Sequence, residues 1–206
     1  MKNDIVLSVH KNIPEYVNDV IKIIKSETGI RILKQPVLET CISYILSVNS
    51  NIPLISRRIE NLCSLFSENK VSFLGKEYYY FPELEQLKSL KFSDLEKLKL
   101  GFRTDWIWNF IQKVNEFKLE DLAEESKISR KKYLTSFAGI GEKVFNCINL
   151  YSYNDYTSFP VDVWIKRSLK NYFNIEYKQD MEYKKYFGEY CGYFQQYLYD
   201  YSRNKD

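Results

Sequence analysis

Residues 137 to 147 read Phe-Ala-Gly-Ile-Gly-Glu-Lys-Val-Phe-Asn-Cys, and residues 159 to 167 read Phe-Pro-Val-Asp-Val-Trp-Ile-Lys-Arg. Gly139 and Gly141 mark a tight turn, because glycine reaches backbone angles closed to other residues and lets another backbone come close. Segments 128 to 136 and 142 to 151 on either side carry apolar residues at three and four spacing, which predicts helix, hairpin, helix. The second helix would begin near Glu142 and offer its unpaired N–H groups and positive dipole end to an anion such as a DNA phosphate. A glycine turn between helices is common in itself. Lys143, at the start of that helix, and Asp162, behind Pro160 at the start of the next, make this one distinctive. A lysine amine attacks carbon only when neutral, and burial and a positive helix end both disfavour the ammonium form. An amine and a carboxylate on successive helices can serve one deoxyribose. The carboxylate stabilises positive charge developing on the sugar, and the amine attacks C1′. Taken singly, the same residues are an exposed helix lysine and a helix-dipole partner.

In these two stretches the chain resembles the 8-oxoguanine DNA glycosylase branch of the helix-hairpin-helix DNA repair glycosylases. The family's Leu-Pro-Gly-Val-Gly-x-Lys-Val-Ala-Asp-Cys is matched by residues 137 to 147, and its Pro-Val-Asp-Val by Pro160 to Val163. Gly29 to Gln35, Ser47 to Pro53, Gly101-Phe102-Arg103 and Gly192 to Tyr199 resemble family blocks in the same order, so the likeness runs from about residue 29 to 202. It implies a mainly α, two-lobed helical fold with one small β-hairpin. Residues 1–49 and 153–206 would form the lobe contributing the base pocket, and 50–152 the lobe with the helix-hairpin-helix at about 128–152. It also implies a bifunctional glycosylase and abasic-site lyase that flips 8-oxoguanine out of duplex DNA and excises it. Lys143 would form the Schiff base that leads to β-elimination, with Asp162 as the catalytic carboxylate. Cys147, Gln195, Tyr199, Tyr151 and Pro160 would line the base pocket. Asn49 would fill the gap left by the flipped base, Phe102 and Arg103 would wedge near its former partner, and Gly139, Gly141 and Trp164 would contact DNA. Backbone carbonyls of Thr135, Phe137 and Ile140 would hold a monovalent cation, K⁺ or Na⁺, and no cofactor would be required. The expected partner is damaged double-stranded DNA, met by a monomer in the cytoplasm, associated with the nucleoid. Two alternatives stand beside this one: an enzyme for another damaged purine or mainly for abasic sites, and a non-catalytic helix-hairpin-helix module. Retention of both Lys143 and Asp162 speaks against the module, which needs only the glycines.

Four positions depart from the family. Ala138 replaces the hairpin proline, Asn146 an aspartate, and Trp164 the histidine of the animal enzymes. Leu54 replaces an arginine that reads the orphaned cytosine; leucine cannot donate to a base edge, so weak discrimination of the opposite base is predicted. About twenty-eight residues precede the Gly29 block, too few for the amino-terminal sheet domain that senses the lesion's N7 hydrogen in the family. The family's sharpest discriminator between 8-oxoguanine and guanine is therefore expected to be absent or supplied from elsewhere.

The rest of the sequence narrows the class. Of 206 residues, 30 are Lys or Arg and 27 Asp or Glu, a net charge of only +3, so a local basic face is expected rather than a general nucleic-acid coat. Lys131, Lys132, Lys143, Lys166, Arg167 and Lys170 supply that face. Cysteines 41, 63, 147 and 191 lack the spacing of a zinc site, a disulfide frame or a four-cysteine iron–sulfur loop. The single histidine, His10, excludes a histidine triad and is expected to be exposed ahead of the first helix. No run approaches a membrane span. Prolines 14, 36, 53, 82 and 160 are taken to mark helix starts. The spacing predicts helices near 14–27, 36–48, 53–66, 103–116, 142–152, 161–172 and 180–202 among others, and a hairpin over 71–81 turning at Gly75-Lys76.

Overall fold

Apolar residues at helical spacing fold as helices along nearly the whole chain. The computed structural model describes residues 1–26 and 29–203, so the end of the predicted helix 14–27 lies outside the described residues. In order come α1 (Lys2–Asn12), α2 (Val17–Ser26), α3 (Val37–Ser47), α4 (Ile52–Cys63), β1 (Lys70–Phe73), β2 (Lys76–Tyr79), α5 (Leu84–Ser89), α6 (Phe92–Lys97) and α7 (Arg103–Lys113). There follow α8 (Glu116–Asp121), α9 (Lys127–Leu134), α10 (Glu142–Ser152), α11 (Val163–Phe173), α12 (Lys184–Phe187) and α13 (Cys191–Arg203). They form two compact units, residues 1–34 with 145–206, and residues 35–144.

The first unit buries one aromatic-rich core. Ile5 and Val9 of α1 and Val20, Ile23 and Ile24 of α2 meet Ile165, Leu169 and Phe173 of α11, Phe187 of α12, and Phe194, Tyr197 and Leu198 of α13. Each such side chain withdrawn from water contributes about 1.5–3 kcal/mol before entropy is charged. α1 was not anticipated, although Ile5, Val9 and Ile13 have helical spacing; His10 is exposed within its last turn rather than ahead of it. The predicted helix 180–202 is two helices, because the chain turns at Gly188 with φ +77° before α13 begins.

The second unit is built around α3, whose Val37, Leu38, Cys41, Ile42, Ile45 and Leu46 are all buried. α3 packs on α4, α7 and α8, so the first division falls at 34/35 where 49/50 was expected; the second falls at 144/145, inside α10, where 152/153 was expected. β1 and β2 pair antiparallel with Phe73 opposite Lys76. Their turn is Leu74-Gly75, both left-handed at φ +51° and +76°, one residue earlier than the predicted Gly75-Lys76. Pro14 opens a 3₁₀ turn, Pro36 caps α3 and Pro53 lies in the first turn of α4, whereas Pro82 and Pro160 precede the capping residues of their helices.

All four cysteines are buried, and none is in a disulfide among the described residues. Burial, then the charge of Glu39, pushes the Cys63 thiol up to about 11. Among the described residues, no group of three His, Cys, Asp or Glu could hold a metal ion, and no helix is long and apolar enough to cross a membrane.

α13 enters its unit through a close backbone approach. Gly192 donates its N–H to the Tyr156 carbonyl at 2.8 Å. A Cβ there would lie 2.5 Å from the Ser158 carbonyl oxygen and 2.7 Å from Leu150 Cδ1. Gly192→Ala is expected to lower unfolding free energy by about 1–3 kcal/mol in urea denaturation, since backbone rather than a flexible side chain must yield.

Candidate active site

In the second unit, the turn between α9 and α10 is fixed by its own hydrogen bonds. Ser126 caps the start of α9, and Thr135 N–H returns to the Lys131 carbonyl at 2.9 Å at its end. Ile140 N–H donates to the Phe137 carbonyl at 3.1 Å, closing a four-residue turn with Gly139 in third position at φ +88°, where a side chain is strongly disfavoured. Space forbids one as well: a Cβ on Gly139 would lie 2.8 Å from Trp106 Cε3 and 3.1 Å from Ile45 Cγ2. Phe137 anchors the turn, edge-on to Phe110 at 5.0 Å and Tyr133 at 5.4 Å, and Ile140 is buried beside it. Gly141 is different. It is not left-handed, and a Cβ there would meet nothing within 4 Å, so the expectation of special backbone angles holds at Gly139 alone.

Lys143 follows at the second position of α10, half-buried, with Nζ 5.1 Å from the centroid of the Tyr44 ring on α3. That cation–π contact holds the amine to one side of the helix start. The corner after α3 carries Asn49, exposed and left-handed at φ +48°. Phe102 is 47% exposed, edge-on to Trp106 at 4.7 Å. Arg103 departs from its expected place. It is only 4% exposed, and its guanidinium donates to the carbonyls of Val48, Asn49 (3.0 Å) and Leu100 (3.2 Å). Burial, and after it the charge of Arg58, lowers its pKa.

In the first unit, Cys147 and Tyr151 lie one turn apart on α10, and Gln195 and Tyr199 one turn apart on α13. Cys147 and Gln195 are buried, Tyr151 and Tyr199 half-buried. The Tyr151 hydroxyl donates to Gln196 Oε1 at 2.8 Å, and Gln196 Nε2 donates to Gln195 Oε1. Gln196 thereby joins the two helices and ties the carbonyl end of the Gln195 amide, leaving its NH₂ end as a donor. The sequence reading missed Gln196; its only signal is a second glutamine on a helix otherwise rich in tyrosine. Tyr199 sits 5.6 Å beneath the Arg203 guanidinium.

Asp162 is the capping residue of α11 rather than a residue of its first turn. Its Oδ1 accepts from Ile165 N–H at 2.9 Å, which fixes the carboxylate; Oδ2 has no hydrogen-bond partner among the described residues. Pro160 is buried and Trp164 half-buried, with Arg167 5.8 Å from its ring. The six basic residues divide between the units: Lys131, Lys132 and Lys143 in the second, Lys166, Arg167 and Lys170 in the first. Lys170 is ion-paired with Glu176 and Lys166 lies 4.0 Å over Tyr177. Lys143 and Asp162 likewise belong to different units.

No protein-family model matches the chain. The N-glycosylase/DNA lyase of Saccharomyces cerevisiae is 32% identical over an alignment of 163 positions that covers 73% of this chain but 43% of that protein. Among solved structures, MBOgg1 in complex with a low-affinity DNA ligand matches 98% of this chain and 70% of its own at TM-score 0.85 and 34% identity. The Clostridium acetobutylicum 8-oxoguanine glycosylase/lyase, bound to double-stranded DNA with cytosine opposite 8-oxoG, matches 90% of this chain and 66% of its own at TM-score 0.78 and 30% identity. The chain thus spans less than half the length of the yeast relative.

The two glycines of the turn are expected to respond differently to the same change. Gly139→Ala meets both a left-handed angle and the Trp106 ring, and should cost about 2–4 kcal/mol of stability. Gly141→Ala loses only a helix-capping glycine and should cost no more than about 1 kcal/mol. Chemical denaturation of the two variants side by side measures the difference.

Proposed function

Because the chain belongs to the 8-oxoguanine DNA glycosylase/lyase family, we propose that it excises 8-oxoguanine from duplex DNA and then cleaves the abasic strand. The presence in one chain of Lys143, behind the glycine turn, and of a helix-capping carboxylate at Asp162 carries this reading. With the damaged nucleotide out of the stack, the Lys143 amine attacks C1′, and the base leaves with the electrons of the glycosidic bond and takes up a proton. The aminal so formed opens as its C1′–O4′ bond breaks, the nitrogen lone pair forming the imine and O4′ taking up a proton; the imine makes the C2′ proton acidic, and its loss expels the 3′ phosphate, which is β-elimination. Asp162, held by one oxygen to Ile165, keeps a fixed negative charge for the cationic sugar of the transition state. Gln195 offers its amide NH₂ to a base-edge carbonyl, with Cys147 and Tyr199 toward the ring faces.

The anion seat is the start of α10, and open space at Gly141 is where a phosphate backbone can come close. A monovalent cation fits the same turn in our reading: the Phe137 carbonyl takes one hydrogen bond from Ile140 and keeps a second lone pair, with Thr135 and Ile140 carbonyls as its neighbours in sequence. The enzyme is proposed to act as a monomer on cytoplasmic DNA.

Lys143→Gln should abolish imine formation and strand cleavage while DNA affinity changes little. Asp162→Asn keeps an oxygen to cap α11 but loses the charge, so the fold should survive while base release slows about a hundredfold or more. Single-turnover excision and nicking assays separate the two, and normal nicking by Lys143→Gln would remove the Schiff-base assignment. Leu54 and Phe102, 40% and 47% exposed, are apolar, and Arg103 is buried. Excision rates with C, A, G and T opposite the lesion are therefore expected within about fivefold of one another, less than one bidentate base contact would give.

A further inference from the structure

Gln196 joins two side chains that helix geometry alone would not bring to it. Neighbours on a helix project about 100° apart, so Gln195 and Gln196 of α13 do not face each other by default. Yet Gln196 Nε2 donates to Gln195 Oε1, and Gln196 Oε1 accepts from the Tyr151 hydroxyl of α10 at 2.8 Å. A donor at each step gives these bonds one direction, from hydroxyl to amide and from amide to amide. They end on Gln195, which is only 4% exposed and whose NH₂ has no hydrogen-bond partner among the described residues.

The two ends of a glutamine amide have nearly the same size and opposite hydrogen-bonding character. Turned over about its last bond, the Gln195 amide would fill the same space and present an acceptor where a donor had been. A guanine-type edge offers a carbonyl beside an N–H, and an adenine-type edge an amino group beside a bare ring nitrogen. One sense of the amide fits the first edge and the other sense the second. Turning it over in the wild-type protein would set the Gln195 NH₂ against the Gln196 NH₂, donor facing donor, where an unmade hydrogen bond is costly.

We propose that Gln196 is a positioning residue that sets the sense of the Gln195 amide and so selects a guanine-type over an adenine-type oxidised base. This rests on the glycosylase reading above. Gln195 keeps its NH₂ for a base carbonyl, and its Oε1, with two lone pairs, takes an N–H of the base beside the bond from Gln196. Tyr151 completes the relay by giving its O–H to Gln196, which leaves the Gln196 NH₂ to point onward. The amide is thereby set before a base arrives, and its ordering is met on folding rather than on binding.

The test measures single-turnover excision of 8-oxoguanine and of 8-oxoadenine, each opposite cytosine, and nicking of a preformed abasic site, by wild type, Gln196→Glu and Gln196→Met. The carboxylate introduced by Gln196→Glu has no proton to give. It accepts from Tyr151 and from the Gln195 NH₂, so the amide turns over. The ratio of 8-oxoguanine to 8-oxoadenine excision should fall about tenfold or more in Gln196→Glu, and by less in Gln196→Met, which leaves the amide without a partner on that side. Both variants should lose 8-oxoguanine excision relative to abasic-site nicking, in which no base is read. An unmoved ratio, or excision and nicking that fall together, would overturn the relay. Should the variants fail to fold, NMR of the wild-type protein decides: scalar coupling across the hydrogen bond should link Gln196 Nε2 to Gln195 Cδ, and coupling from Gln195 Nε2 to Gln196 Cδ would contradict it. A wild type that excises neither base removes the glycosylase reading and the relay with it, whereas an unmoved ratio in an active enzyme removes the relay alone.

Discussion

The left-handed turn at Gly139, pressed against Trp106, is the constraint on which the candidate site depends. A ring atom stands 2.8 Å from where any Cβ would be, so the turn can be as tight as it is only with glycine. Phe137 and Ile140 pin its two ends in the core of the second unit. The start of α10 is thereby fixed, and with it the direction of its unpaired N–H groups and the place of Lys143 against Tyr44. Sequence, local geometry and chemistry meet in four residues: packing holds one side of the turn, and open space at Gly141 leaves the other free for an anion.

The first unit solves a different problem, that of presenting polar groups from an aromatic core. Gly192 lets α13 settle against residues 156 to 158 without a side chain between. Gln196 then bridges Tyr151 and Gln195, so that the amide expected to meet a base edge is oriented by a neighbour. Asp162 caps α11 through one oxygen, which contributes roughly 1 kcal/mol to the helix, and in the proposed mechanism its charge also serves the sugar.

Much of this was legible in the sequence, for reasons that differ by residue. α10 falls at 142–152 as predicted, because a glycine turn before it and helical apolar spacing within it agree. α1 was passed over: Ile5 and Val9 are few apolar residues among polar ones, and the partners that bury them lie in α11 to α13, far along the chain. The helix predicted over 180–202 breaks at Gly188, a local feature outweighed in the reading by the long apolar pattern. Pro160 suggested a helix start two residues early, since a proline ahead of a capping residue and one inside the first turn look alike. Within the site, Lys143, Asp162 and Gln195 are visible from motif, but the Gln196 bridge and the burial of Arg103 on three carbonyls are tertiary facts that no spacing encodes.

The central claim is that Lys143 is the nucleophile of a lesion-excising enzyme. Borohydride trapping on a duplex with a single 8-oxoguanine, followed by mass spectrometry of the cross-linked peptide, addresses it most directly. The account predicts one covalent adduct, on Lys143, formed with the lesion duplex and with a preformed abasic site but not with undamaged guanine. An adduct on another lysine, or none on any of these duplexes, would contradict it.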